Sequence, residues 1–507
     1  MYRIVILIVF LITCLFACKG GDDNPNKDLT LDAFGHLRVN RYRVDGDSIR
    51  DNIAAMVKAD GILMQSDRFV RAYYRDRKSF LWISHNGVAA CADTLVEYLE
   101  GVVNSGIKPE LFRIGQIKED IEAIRDLNVG DGRHSINHLL ARIEYNLTRS
   151  YLRYATGQHY GFINPNNIYN KLDTLSYDSL GVKWKRLCDL RVKRPDSTFY
   201  AGALACINAD SIGPYIDRIV PRGELYAMLV GHLSTPGLSE KERLRTLCNI
   251  ERCRWRLGVM PYNCSKHVMV NIPSYNLRAV DGDSVLRMRV CCGAKKTKTP
   301  MLSSMLMRMD FNPQWIVPKS IAVGYVGKTG YMHSQGMFVF DKKLGKLPPE
   351  EASYTKISNG EQYIIQSGGA KNSLGRIIFR FENNFSVFLH DTSAPWHFQS
   401  SMRAISHGCV RVEKPYELAL FMLHDKDKDL AEKIKYTITM NLDAEKDKGD
   451  SYDKSKIVHN IKIEPDIPLF ITYYTMYYGA GGHLVSYEDV YGYDDVTIES
   501  LYPYIKL

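Results

Sequence analysis

The chain has 507 residues, 45% of them hydrophobic and 24% charged. That composition excludes a disordered or low-complexity chain and leaves room for two or three domains with cores of their own. The formal net charge of +9 suits an anionic partner such as a cell wall, a membrane face or nucleic acid. It selects none of them, and the chain has no dense Lys/Arg run that would mark a nucleic-acid binder.

At the N-terminus, Arg3 precedes an apolar run that ends at Cys18. The run is too short for a comfortable membrane span, which takes about 20 residues, and fits a signal peptide over residues 1–18. An uncleaved anchor helix is the other reading. Leu15-Phe16-Ala17-Cys18 resembles a bacterial lipobox, which implies that Cys18 is lipidated and holds an exported protein to a membrane. Residues 19–35 read as a polar tether. Lys19 with Asp22 and Asp23 also loosely resembles the export tag of some surface lipoproteins, so either membrane of the envelope stays open.

Residues 36–260 read as mostly helical. Asp93 is a candidate cap for a helix carrying Leu95, Val96, Leu99 and Val102. Ile136, Leu139, Leu140, Ile143, Leu147 and Tyr151 repeat at helical spacing, and residues 240–257 form another amphipathic segment. Near Lys266 the period changes. Val268, Val270 and Ile272 alternate, as do Leu286, Met288 and Val290, which marks half-buried strands. Residues 376–381 and 385–390 flank Glu382-Asn383-Asn384 as a hairpin. The Gly- and Lys-rich stretch 323–366 looks like an insertion over the β scaffold, a candidate lid. A helix after Pro415 and a charged linker at 443–456 follow. The last strands lie around Gly479 to Gly482. The fold class expected is therefore multidomain α+β, a helical domain followed by a mainly β domain over 266–425 and an extension over 426–507.

Eleven cysteines are present, with no C-x-x-C pair, so a structural zinc site is not expected. Neighbours Cys291 and Cys292 would point to opposite faces of a strand, as buried thiols. Ala322 to Thr329, A-V-G-Y-V-G-K-T, nearly matches a phosphate-binding loop but lacks the first glycine and the preceding strand.

Ser406 to Cys409 reads S-H-G-C. A nucleophilic cysteine needs a thiolate or a neighbouring base, and backbone N–H groups for the oxyanion of an acyl transfer. Gly408 lets the backbone approach a substrate closely. His390 ends a strand upstream, on the face opposite Leu389. As rivals, His390, Asp391, His407 and Cys409 are all possible zinc ligands, and the chain could be a wall-binding protein without catalysis.

His390 followed by Ser406-His407-Gly408-Cys409 resembles the signature of the L,D-transpeptidases (YkuD-type catalytic domain) of bacterial peptidoglycan. V-N-I-P-S-Y-N-L (270–277), F-N-P-Q-W-I-V-P-K-S-I-A (311–322), S-L-G-R-I-I-F-R-F (373–381), I-T-Y-Y-T (471–475) and N-L-T-R-S-Y-L-R-Y-A (146–155) resemble the larger YcbB-like branch, whose helical domain is a scaffold. The resemblance spans about residues 60–495. It implies Cys409 as nucleophile, His390 as general base, and N–H groups of His407, Gly408 and Cys409 as oxyanion hole. Ser406 and Arg411 would shape the site, with Trp396 a candidate for the stem-peptide cleft. It further implies peptidoglycan stem peptides as substrates, 3→3 cross-links made through a thioester with release of D-Ala, acylation by carbapenems, and no cofactor, metal or nucleic acid. With water as acceptor the activity becomes an L,D-carboxypeptidase. Two departures stand out. Many members have Asn where Arg411 stands, although the YcbB-like branch commonly has Arg. No peptidoglycan-binding module is recognisable at 160–245, so substrate capture would fall to the catalytic domain and the lid.

Overall fold

The computed structural model describes residues 40–84, 87–178, 181–423, 427–440 and 453–506. The signal, Cys18, the tether and most of the 443–456 linker lie outside these residues. The described chain forms two compact units. One holds the residues up to 162 with 194–221 and the C-terminal end from 504; the other holds 163–193 and 222–503.

The first unit is helical. Its helices are α1 (Gly46–Ala59), α2 (Gln65–Arg75), α3 (Cys91–Glu100), α4 (Ile114–Arg125), α5 (Ile136–Tyr160), α6 (Ser197–Asn208) and α7 (Ile212–Ile219). The long α5 is its axis. The stripe from Ile136 to Tyr151 is buried as its spacing predicts. The other side of α5 is buried as well, and its polar groups are paired. Glu144 accepts from the N–H groups of Leu81 and Trp82 at 2.7 and 2.8 Å, and Arg153 grips Asp67 at 2.7 and 2.8 Å. Asp93 does not cap α3. The helix starts at Cys91, so Asp93 lies inside its first turn and pairs with Arg125 at 2.6 Å.

The second unit is built on a sheet. Helix α8 (Glu240–Arg254) begins at Ser239, whose hydroxyl accepts from the Glu242 N–H in a capping box. The sequence placed this helix with residues 36–260. It packs instead in the β unit, where Arg252 meets Asp494 at 2.6 Å and Trp255 and Leu257 join the sheet's core. Strands β1 (Lys266–Asn271), β2 (Asn276–Asp281), β3 (Ser284–Gly293) and β4 (Met301–Phe311) come next. The insertion follows, with β5 (Trp315–Ile316), β6 (Met337–Asp341), β7 (Gly345–Leu347) and β8 (Gln362–Gln366). Then come β9 (Ile377–Phe381), β10 (Leu389–His390), β11 (Ala404–Ser406), β12 (Val410–Val412), helix α9 (Pro415–Met422) and helix α10 (Lys428–Thr439). The chain ends with β13 (Asn460–Thr472), β14 (Met476–Tyr478), β15 (Leu484–Ser486) and α11 (Tyr493–Leu501).

The main sheet runs β9-β10-β12-β3-β2-β1-β13-β4, and β4 pairs β9 again, so the path closes on itself. The C-terminal β13 is no appendage. It lies between β1, which it pairs in parallel, and β4, which it pairs antiparallel. The expected hairpin exists as β9 against β10, but only Leu389 and His390 of the second run are strand. Ser386 in that run has φ +55, a left-handed turn that breaks the extended chain.

The insertion expected at 323–366 starts earlier, at Trp315, and has its own small sheet, ordered β5-β8-β6-β7, and its own core of Val317, Met332, Val339 and Ile364. Trp315 packs against that core. The base is closed by buried amides. Asn372 Nδ2 donates to the carbonyls of Pro313 and Ser367, and Gln366 Nε2 to those of Gln335 and Lys371. The A-V-G-Y-V-G-K-T stretch falls here, in short helical turns with no strand leading directly into it.

Candidate active site

The S-H-G-C turn joins β11 to β12. Gly408 has φ +119, a conformation L side chains rarely adopt. One buried hydroxyl closes the turn: Ser406 Oγ donates to the Cys409 carbonyl at 2.6 Å and accepts from the Gly408 N–H at 3.2 Å. The segment after β3 clamps it from outside. Thr297 Oγ1 donates to the Ser406 carbonyl and Thr299 Oγ1 to the Gly408 carbonyl, both at 2.8 Å. Thr299 in turn accepts from the Gly293 N–H at 2.8 Å. The sequence reading missed both threonines. Their short T-K-T run carries no signal until β3 is folded beside the motif.

Strand register assembles the rest. β10 and β12 run parallel, with Leu389 beside Val410 and His390 beside Arg411. β12 and β3 run antiparallel, with Arg411 opposite Cys291. Leu389, Val410, Val412 and Cys292 belong to the main core. Alternation therefore sends His390, Arg411 and Cys291 to the other face. Cys409 lies in the turn just before β12, partly buried and packed at the edge of the main core, and the Arg411 charge acts on both thiols and on the imidazole. Cys291 was read only as a buried thiol. It is buried, but on the face of the site.

His390 is 4% exposed, and its Nδ1 has no hydrogen-bond partner among the described residues. Arg411 Nε is likewise buried and unpartnered. Burial, and then the Arg411 guanidinium, push the imidazole down to about 4, while backbone groups of Asp391 and Leu374 pull more weakly the other way. Burial pushes the Cys409 thiol up to about 11 against smaller opposing pulls from the Phe388 backbone and Arg411. At neutral pH the resting pair is thiol and neutral imidazole. Sγ lies 4.0 Å from the Ser386 carbonyl oxygen, a weak contact that leaves it available.

The next residue, Asp391, accepts from the N–H groups of Arg376 and Thr392 at 2.7 and 2.6 Å. Gly375 has φ +66, and a Cβ there would stand 2.4 Å from the Asp391 carboxylate. This tight packing of Gly375 on Asp391 locks the strand end that carries His390.

His407 is exposed, whereas His390 is buried. The rival zinc set does not converge: among the described residues no group of three or more His, Cys, Asp or Glu is placed to hold a metal. Trp396 is 65% exposed in the turn Pro395–Gln399, its ring tilted against His397.

Comparison with known proteins agrees with this layout. Residues 265–434 match the L,D-transpeptidase catalytic domain, and residues 68–233 match a scaffold domain. A curated Haemophilus influenzae protein named "Putative L,D-transpeptidase" is 26% identical over 310 residues, 60% of this chain and 60% of that one. The chain thus matches less than two thirds of that relative's length. Two solved structures are similar in part. An L,D-transpeptidase from Mycobacterium smegmatis is 12% identical over 41% of this chain and 58% of its own, and L,D-transpeptidase 3 from Mycobacterium tuberculosis is 10% identical over 41% and 61%. Both have a TM-score of 0.19, too low to carry weight. The chain thus carries a scaffold domain over residues 68–233 followed by an L,D-transpeptidase (YkuD-type) catalytic domain over residues 265–434.

Proposed function

We propose that this protein is a peptidoglycan L,D-transpeptidase that forms 3→3 cross-links between stem peptides through a thioester on Cys409. What supports the reading is the S-H-G-C turn, which holds Cys409 immediately before β12, the strand whose Arg411 is the register partner of His390, with the His390 Nδ1 buried and without a hydrogen-bond partner among the described residues. An uncharged imidazole beside an uncharged thiol can take its proton as the sulfur attacks.

Cys409 Sγ attacks the carbonyl of the third residue of a tetrapeptide donor, and His390 takes the thiol proton. The oxyanion is met by N–H groups of the His407–Cys409 turn. The Gly408 N–H also serves Ser406 Oγ, so His407 and Cys409 carry more of this work. The bond to D-Ala breaks and the leaving amine receives the proton. An acceptor stem's amine then attacks the thioester, gives its proton to His390, and restores the thiol. Arg411, with a buried Nε lacking a partner, and the exposed Trp396 are assigned to substrate contact, and Ser406 to holding the turn. Carbapenems would acylate the same sulfur. Export and lipidation at Cys18 would place this chemistry in the cell envelope, at a membrane.

The test is mass spectrometry of products after incubation of the protein lacking residues 1–18 with disaccharide-tetrapeptide, beside Cys409→Ala. A Cys409-dependent dimer lacking one D-Ala is expected. Tripeptide alone would instead make the protein an L,D-carboxypeptidase. No turnover by folded protein would favour a wall-binding role.

A further inference from the structure

On the face of the sheet that carries His390, Arg411 and Cys291, strand β3 continues back through Arg289 and Arg287. Their neighbours Met288 and Val290 point into the core, so the arginines point away from it. Arg287 stands directly opposite Arg278 of β2, and Arg289 opposite Asn276. Like charges directly opposite in a ladder destabilise it. Neither the Arg278 nor the Arg287 guanidinium has a carboxylate partner among the described residues. Glu413 is already taken, since it accepts from Arg289 Nε and from the Arg289 N–H, both at 2.9 Å. A third cation stands close by: Lys414 Nζ donates to the Arg287 carbonyl at 3.4 Å.

These groups border a groove of about 250 Å³ whose far wall is the β14 hairpin. The Arg278 guanidinium lies 4.4 Å from the centre of the Tyr478 ring, which holds its fork in place. Glu224, beside the Tyr478 phenol, is the acid at that end. Four residues separate Arg287 from Cys291, or about 13 Å along the strand, so the groove leads toward the site.

We propose that this groove is a second substrate-binding site, in which Arg278 and Arg287 together hold the free carboxylates of a peptide stem while its apolar parts lie on Tyr478. The proposal rests on the peptidoglycan reading above and names where that substrate is captured. Guanidinium forks match carboxylates two bonds at a time. An anion between the two arginines would also relieve their mutual repulsion. The groove's size suits a short peptide segment.

The test separates binding from turnover. Binding of disaccharide-tetrapeptide to the full chain in detergent is measured by calorimetry, with Cys409→Ala in every arm so that no product forms. The expected result is at least tenfold weaker binding for Arg278→Ala/Arg287→Ala, and an equal loss for the unaltered groove when the peptide carboxylates are amidated. Unchanged affinity in the double variant, or no measurable binding without it, would overturn the proposal. Circular dichroism checks the fold, and Arg287→Gln, which keeps a polar side chain without the charge, repeats the test if the double variant unfolds. Inorganic phosphate at equal ionic strength serves as competitor. Displacement by phosphate together with indifference to amidation would assign the groove to phosphate and sink the carboxylate assignment. With Cys409 intact, the double variant should raise KM and leave kcat within twofold. A normal KM would reject the groove and leave the transpeptidase reading standing. Absence of turnover in the unaltered protein would reject that reading, whatever the groove binds.

Discussion

His390 and Arg411 are register partners on adjacent parallel strands, and the guanidinium of one helps keep the imidazole of the other uncharged. Arg411 also acts on Cys409, in the opposite chemical sense: it favours the thiolate while disfavouring the imidazolium. One cation thus shifts both partners of the proposed proton transfer.

Replacing Arg411 with Ala should raise the pKa of both groups. Alkylation of Cys409 by iodoacetamide at pH 7 should slow by about tenfold for each unit the thiol rises, and the imidazole's NMR titration should move up from about 4. A thiol that reacts faster in the variant would show that the charge does not reach the sulfur.

His390 can serve as the proposed base only above its own pKa. Its depression to about 4 predicts an acid limb of kcat/KM near pH 4 rather than near the usual imidazole value. The same shift is a stability statement. The unfolded chain takes up the proton first, so the contribution is fully present above pH 6.5 and is lost as pH falls through 4, by about 3 kcal/mol in all. Urea unfolding between pH 7 and pH 4, compared with His390→Gln, isolates it: the variant should lose less stability over that range.

Ser406→Ala removes the donor to the Cys409 carbonyl and the acceptor for the Gly408 N–H in one step. Leaving such groups buried and unpaired costs about 1–3 kcal/mol. Because the loss falls inside the turn of the proposed nucleophile, kcat should drop more than thermal stability alone explains. Thr299→Val, which takes the donor from the Gly408 carbonyl, should act in the same direction. Differential scanning calorimetry beside steady-state kinetics checks both.

Gly375→Ala puts a methyl 2.4 Å from the Asp391 carboxylate at a position with φ +66. The strand end carrying His390 must then shift. Destabilisation of about 1–3 kcal/mol is expected, with activity falling further than in a control Gly282→Ala. That control shares a positive φ of +56, but its Cβ meets nothing within 4 Å. Equal effects in the two variants would argue that the contact with Asp391 is unimportant.

Periodicity was a good guide wherever one face of an element met a core. The stripe on α5, the alternating Val268, Val270 and Ile272, and Met288 and Val290 on β3 are buried as their patterns say, while Leu286 is only partly buried. It misled where burial is two-sided or pairing is distant. Glu144 and Arg153 look solvent-facing on α5 until neighbouring helices cover them. The 460–472 segment reads as part of a C-terminal extension, yet β13 is an interior strand of the main sheet.

By itself the sequence carried the S-H-G-C motif and the upstream His390 proposed as reactive, the change from helical to strand periodicity, and the resemblance to the L,D-transpeptidase catalytic domain, because local chemistry and spacing are written in neighbouring residues. Only the tertiary structure decided what stands beside them. Register between strands far apart in the chain puts Cys291 opposite Arg411, brings the Thr299 hydroxyl to the Gly408 carbonyl, and sets Arg278 against Arg287. A shift of one residue in any of these pairings would turn the side chains to the other face, and no local pattern carries that information.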